Sequence, residues 1–146
     1  MINIKNASLI GLIFAMLAMA TLVFRESLFG IGPIAISIQV FAGLLMLWSR
    51  VTFGKRSFHA SANPTGGGLV TNGPYKFIRH PIYASILYFT WAGILEHFSI
   101  IDLLLGVTVT IGLFIRIFAE ERLVEKLYPN YLLYATRTKR IIPYIF

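Results

Sequence analysis

Two long stretches without a charged residue dominate the first third of the chain. Stretches 7–24 and 27–49 contain no Asp, Glu, Lys or Arg, and only Arg25 and Glu26 separate them. A helix needs about 20 apolar residues to cross the hydrocarbon core of a bilayer. We therefore predict two membrane-spanning helices joined by a hairpin.

Two further apolar stretches follow a polar loop. Stretch 82–95 is uncharged but short, and stretch 98–115 has Asp102 as its single charge. The loop 50–81 between the second and third stretches is basic and rich in Gly and Pro, so it is the one loop long enough to hold a site. The best count is four crossings.

Charged and apolar side chains alternate in the tail 116–146. This pattern is typical of a helix that leaves the membrane and continues as an amphipathic segment, here interrupted at Pro129. The sequence thus predicts an all-α polytopic integral membrane protein with one membrane domain, 1–146. It comprises about four transmembrane helices, a loop and an amphipathic C-terminal helix.

The charges indicate the orientation. The chain has 13 Lys and Arg against 6 Asp and Glu, for a net charge of +7. Most of the basic residues lie before the first span, in the loop 50–81 or in the tail 116–146. Four crossings put these segments on one side, which the positive-inside rule makes the cytoplasm. We expect cytoplasmic N- and C-termini and no nucleic-acid partner, because the positive charge follows topology.

The N-terminus also imitates a cleavable signal peptide. Lys5 precedes an apolar run that contains small residues at Ala18 and Ala20. The run continues past them to Phe24, however, and cleavage would leave basic segments on both sides of the membrane. We therefore expect the first span to be retained.

The sequence Arg79-His80-Pro81-Ile82-Tyr83 marks the start of the third span. Proline is tolerated at the first helical position, so Pro81 predicts a helix start with His80 close to the cap. Free backbone N–H groups and the helix dipole would hold an anion there. The alternative is that Arg79 and His80 are ordinary interfacial residues attracted to lipid phosphates.

Arg116 and Glu120 lie four residues apart at the end of the fourth span and so share a helix face. Taken alone, this spacing is explained better by a structural ion pair than by a functional one. Such a pair would help the helix to leave the membrane. Glu121 and Arg122 lie on another face, and we expect both to point towards solvent or lipid headgroups.

The Gly-rich segment 66–75 is neither a phosphate-binding P-loop nor a dinucleotide fingerprint. The simplest interpretation of this segment is a flexible loop. Its glycines would nevertheless permit a ligand to approach the backbone closely. The turn Asn72-Gly73-Pro74 is expected to return Tyr75 towards the membrane face. The chain has no Cys, and its three His residues lack metal-ligand spacing, so we expect no metal site.

These motifs, in this order, resemble the isoprenylcysteine carboxyl methyltransferase family, which belongs to a wider group of integral-membrane methyltransferases that includes phospholipid methyltransferases. The resemblance covers a methyltransferase-like core at 66–143. The motifs that carry it are Leu69-Val70-Thr71, Gly73-Pro74-Tyr75, Arg79-His80-Pro81, Tyr83, Arg116, Glu120-Glu121, Tyr131 and Tyr134. One departure is Gly67, where the animal prenylcysteine enzymes have His.

The resemblance implies S-adenosylmethionine as cofactor and assigns roles to particular residues. Arg116 corresponds to an arginine that engages the methyl acceptor. No catalytic residue is certain; for an acceptor that must lose a proton, His80 is a possible general base and Glu120 the other candidate. The cofactor-binding positions it implies are Gly67, Gly68, Leu69, Val70, Tyr75, His80, Pro81, Ile82, Tyr83 and Glu120.

The acceptor expected from the resemblance is a lipophilic carboxylate, as in a prenylcysteine. Such a group is already a nucleophile and could be oriented by Arg116. Two alternatives stay open: a phospholipid amine, which would have to lose a proton, and a non-catalytic membrane scaffold or transporter subunit. A lipid or lipidated substrate is the expected partner, and a chain this small could also self-associate.

Overall fold

The computed structural model describes residues 4–54 and 68–146 of the chain. Within those ranges the chain is helical, and its single β-type contact is an isolated bridge between Ile78 and Lys139. This confirms the predicted all-α class. The α-helices are α1 (Ile4–Phe24), α2 (Pro33–Phe53), α3 (Pro81–Glu96), α4 (Ile100–Leu127) and α5 (Tyr131–Arg137), and a short 3-10 helix covers Gly73–Lys76.

Three of the helices, α1, α2 and α4, are long and apolar enough to cross a membrane. This is the make-up of an integral membrane protein. Helix α3 has 16 residues, which extend about 24 Å at 1.5 Å per residue against a hydrocarbon core of about 30 Å. Four crossings therefore remain a prediction, in which α3 would have to tilt or thin the bilayer.

The helices at the second and fourth predicted spans differ from those spans in extent. The second span, predicted at 27–49, begins as a helix only at Pro33 and runs on to Phe53, because residues before Pro33 form a loop whose amides bind Glu96. The fourth span, predicted at 98–115, belongs to a continuous helix that ends at Leu127, just before Pro129. Its extension past 115 agrees with the prediction that the helix continues beyond the span.

Helices α1 and α4 pack closely and antiparallel. Gly11 faces Gly112 so tightly that a Cβ atom on Gly11 would lie 2.8 Å from the Gly112 carbonyl oxygen. At one end of the pair, Arg25 follows α1 and binds Asp102 in the first turn of α4, with Nε 2.6 Å from Oδ1. The ion pair thus fixes the register that the glycines permit.

We call this end of the bundle the loop end. Here Glu96, the last residue of α3, accepts hydrogen bonds from the amides of Ile31 (2.8 Å) and Gly32. The connection between α1 and α2 therefore lies beside the connection between α3 and α4. Helix α3 thus runs from the opposite end of the bundle to the loop end.

The segment after α5 returns to the start of α3. The amide of Arg79 donates to the Lys139 carbonyl (2.7 Å) and the amide of His80 to the Arg140 carbonyl (3.0 Å). About two turns into α3, the Tyr88 hydroxyl donates to the Ile141 carbonyl at 2.7 Å. These bonds close the end of the bundle opposite the loop end, which we call the polar end.

Candidate active site

A buried polar cluster occupies the polar end. The Tyr83 hydroxyl donates to Glu120 Oε1 (2.5 Å) and accepts from Arg116 Nε (2.6 Å). Arg116 Nε also lies 3.1 Å from Glu120 Oε1, so the expected ion pair across one turn of α4 is present. The Arg116 side chain is 5% exposed and that of Glu120 is 25% exposed. The contact with Tyr83 joins this pair to α3.

The start of α3 forms one wall of this cluster. Pro81 occupies the first turn and His80 is the N-cap residue, as predicted from the sequence. The first helical hydrogen bond runs from the Ala84 amide to the His80 carbonyl, so the amides of Ile82 and Tyr83 have no partner within the helix. The His80 ring stacks on Tyr83 with centroids 5.8 Å apart. A helix start with amides that lack a partner within the helix is thus next to the cluster.

Glu121 contradicts the expectation that it points towards solvent or headgroups. Its side chain is 12% exposed, and Oε1 lies 3.0 Å from Arg79 Nε and 3.2 Å from His80 Nε2. Its other oxygen, Oε2, lies 3.0 Å from an Arg140 guanidinium nitrogen. Glu121 therefore joins α4 to both the start of α3 and the C-terminal segment.

Arg79 extends the same network. Its Nη1 donates to the carbonyls of Ala135 (3.0 Å) and Thr138 (2.5 Å). The Arg79 side chain is 8% exposed, and carbonyl ligands of this kind hold a guanidinium inside the protein. Arg79 therefore holds α5 and the segment after it against the start of α3. It is buried, and is not the lipid-facing residue of the alternative interpretation.

Tyr75 lies in the 3-10 helix. Its side chain is buried against Phe53 of α2, with ring centroids 5.4 Å apart. Its hydroxyl has no hydrogen-bond partner among the described residues. Burial raises the pKa of the Tyr75 phenol well above its usual value, and the charges of Tyr134 and Glu120 add to this effect while that of Arg50 opposes it. The phenol stays protonated and can donate.

Backbone geometry fixes the position of Tyr75. Gly73 has a φ of +55°, and a Cβ atom there would lie 2.7 Å from Thr52 Oγ1 of α2. The Tyr134 hydroxyl donates to the Tyr75 carbonyl at 2.6 Å. The predicted turn thus brings Tyr75 back towards the membrane-facing helices, as expected.

The Gly-rich loop bears less directly on the site. Gly67 lies outside the described residues, and Gly68 is exposed with a φ of +89°. Leu69 and Val70 are half-buried in the coil that leads to the 3-10 helix. Their predicted contact with a cofactor stays a prediction.

From the predicted set, the structure brings together His80, Tyr83, Arg116 and Glu120. Tyr75 lies in the 3-10 helix, against Phe53 of α2. Sequence reasoning missed the network around Glu121. The only sign of this network in the sequence was that Glu121 is an acidic residue next to Glu120. That does not reveal that Arg79, His80 and Arg140 face Glu121. Across residues 4–54 and 68–146, no group of three or more His, Cys, Asp or Glu side chains is placed to hold a metal ion.

Comparison with known proteins gives one match. A family model described as phospholipid methyltransferase matches residues 27–131, which include α2, α3, α4 and the cluster of Tyr83, Arg116 and Glu120. No curated protein and no solved structure matches the chain. The matched region is most of the chain and contains the motifs on which the resemblance to membrane methyltransferases rests, except Tyr134. The chain belongs to the phospholipid methyltransferase family.

Proposed function

We propose that this chain transfers a methyl group from S-adenosylmethionine to a lipid at the membrane surface. The observation that carries the proposal is the hydrogen-bonded cluster of Tyr83, Arg116 and Glu120 beside the start of α3. Membership of a methyltransferase family supports the reaction class. The open end of the cluster, where Glu120 is a quarter exposed, is the place for a cofactor.

The residues present fit S-adenosylmethionine in three respects. The buried Tyr75 hydroxyl has no partner among the described residues, and a polar ligand would supply one. The amides of Ile82 and Tyr83 at the start of α3 suit the carboxylate of the methionine moiety. The Glu120 carboxylate suits its ammonium group or the ribose hydroxyls.

The bound cofactor would supply a methyl group on a positively charged sulfur, a good leaving group. The protein's contribution is then alignment and exclusion of water. The Tyr83 side chain lies beside the Glu120 carboxylate. The ring faces of Tyr83 and Tyr75 can hold an adenine or a cation. Because the Tyr75 phenol keeps its proton, we assign it a binding role rather than that of a base.

Two observations favour a phospholipid amine as the acceptor. The family match is to phospholipid methyltransferases. Arg116, which would orient an acceptor carboxylate, is buried and already paired with Glu120 and Tyr83. An amine must lose a proton before attack, and His80 and Glu120 are the candidate bases within the cluster.

A lipid carboxylate, as in a prenylcysteine, is the second candidate acceptor. The observation that favours it is the position of Arg116, a fixed cation within the cluster. Incubating native membranes with methyl-labelled S-adenosylmethionine and identifying the labelled lipid distinguishes an N-methylated phospholipid from a methyl ester. Arg116→Lys should sharply reduce ester formation and reduce N-methylation less.

Binding of S-adenosylmethionine to the detergent-solubilised chain tests the proposal. We expect saturable binding that His80→Ala and Glu120→Gln each weaken at least tenfold. Glu125→Gln, an exposed position on the same helix, is the matched control and should leave the affinity unchanged. Absence of saturable binding, or binding insensitive to both variants, would contradict the proposal and favour the scaffold or transporter alternative.

A further inference from the structure

An apolar groove lies beside the polar cluster, between α3, α4 and the C-terminal segment. Its volume is about 240 Å³. The polar atoms of its two amphipathic aromatic residues are turned away, since the Tyr88 hydroxyl donates to Ile141 and Trp91 Nε1 donates to Thr110. Its lining includes Leu87, Tyr88, Trp91, Phe114, Ile142 and Phe146.

The groove begins about one helical turn from Tyr83 of the cluster, at Leu87 of α3. Tyr83, Leu87 and Trp91 are four residues apart and therefore lie on one stripe of the helix. At 1.5 Å per residue, Leu87 lies about 6 Å and Trp91 about 12 Å from Tyr83 along the helix axis. A molecule that lies in the groove can therefore have one end at the cluster and the other deeper in the bundle.

Positive charge borders the groove. The Arg140 guanidinium lies 5.5 Å from the centroid of the Phe146 ring, which lines the groove. Arg140 and Arg79 share the single carboxylate of Glu121, so this network carries an excess positive charge. The Arg140 side chain is 31% exposed. The border therefore complements an anionic group next to a hydrocarbon chain, which is the arrangement of a phospholipid.

Resting on the proposed function, we infer that the groove binds one acyl chain of the acceptor phospholipid, with the lipid phosphate at Arg140. The groove holds part of a single chain, so the second chain stays in the bilayer. This seating directs the headgroup towards Tyr83 and Glu120. The groove then selects acceptors by their acyl chain, and methyl transfer to the headgroup takes place at the cluster.

Photo-crosslinking tests this inference with the full chain in phosphatidylcholine vesicles. The probe is phosphatidylethanolamine with a diazirine on one acyl chain. We expect labelling of α3 and of the C-terminal segment to saturate with probe concentration and to be displaced by unlabelled phosphatidylethanolamine. Labelling that rises in proportion to the probe without saturation would indicate general lipid contact and overturn the inference. Stronger displacement by a farnesylated cysteine would overturn it as well.

A matched pair of substitutions locates the site. Ile142 lines the groove and is 41% exposed, whereas Ile145 lies outside that lining and is 74% exposed. Ile142→Trp should fill the groove and reduce saturable labelling at least tenfold, and the smaller Ile142→Phe should reduce it by an intermediate amount. Ile145→Trp should leave it unchanged. Equal labelling in all of these variants would overturn the inference.

Methyl transfer measured in the same vesicles separates this inference from the proposed function. Saturable labelling without any methyl transfer would contradict the proposed function alone. Methyl transfer with unsaturable labelling would contradict the groove assignment alone. For transfer, Ile142→Trp should raise the KM for long-chain acceptors at least tenfold while kcat and the affinity for S-adenosylmethionine stay unchanged.

Discussion

Arg79 and Glu121 are 42 residues apart in the sequence, and their side chains meet at 3.0 Å inside the polar end of the bundle. The contact joins a residue two positions before α3 to the last turn but one of α4. Arg140 binds the other oxygen of the same carboxylate. The site is therefore assembled from three separate parts of the chain around one acidic side chain.

Loss of the Glu121 charge should destabilise the protein. Glu121→Gln leaves Arg79 and Arg140 without their counter-ion, and breaking a buried ion pair costs about 3 kcal/mol. Thermal unfolding in detergent measures the effect. Glu125→Gln, one turn further along α4 and exposed, is the control. Equal melting temperatures for the two variants would show that the Glu121 network contributes no stability.

The Tyr83 hydroxyl should matter for cofactor binding more than for folding. Tyr83→Phe keeps the ring that stacks on His80 but removes the bonds to Glu120 and Arg116. Hydrogen bonds to charged groups contribute about 1.5 kcal/mol or more, so the Kd for S-adenosylmethionine should rise about tenfold. Calorimetry measures it, with Tyr144→Phe at an 85% exposed position as the control. An unchanged Kd in Tyr83→Phe would remove Tyr83 from the binding site.

Gly73 should tolerate no side chain. Gly73→Ala forces a Cβ against Thr52 at a φ of +55°, so it should lower the melting temperature and weaken cofactor binding by displacing Tyr75. Gly43→Ala is the matched control: Gly43 lies within α2, and a Cβ there has no atom within 4 Å. That variant should be neutral or more stable by up to about 1 kcal/mol. A neutral Gly73→Ala would contradict the described turn.

The membrane orientation can be read with single cysteines, because the chain has none of its own. With four crossings, Asn6→Cys and Thr136→Cys should react with an impermeant thiol reagent from the cytoplasmic side. Ile31→Cys and Phe98→Cys, at the two connections of the loop end, should react from the opposite side. Labelling of Phe98→Cys from the cytoplasmic side would mean that α3 does not cross.

Much of the site was accessible from the sequence because it depends on local rules. The proline at the start of α3 and the spacing of Arg116 and Glu120 are readable without knowledge of the fold. The structure adds Tyr83, whose hydroxyl joins that pair from another helix. This contact makes the pair part of a site, and no spacing within α4 could predict it.

The surroundings of Glu121 and the start of α2 depend on contacts between residues that are distant in the sequence. Neighbouring residues on a helix differ by about 100° in direction, so Glu121 had to point away from Glu120, but only the returning tail with Arg140 decides what it meets. The late start of α2 has a similar cause. An uncharged stretch does not distinguish helix from loop, and the loop amides are satisfied by Glu96, which comes 64 residues after Gly32.

The backbone bonds from Arg79 and His80 to the carbonyls of Lys139 and Arg140 have a consequence for biogenesis. A ribosome releases the start of α3 long before it makes the segment that binds it. Each apolar helix can therefore enter the bilayer while the polar end is still unassembled. Newly inserted chains should therefore pass through a membrane-embedded stage in which the start of α3 still lacks its bonds to Lys139 and Arg140.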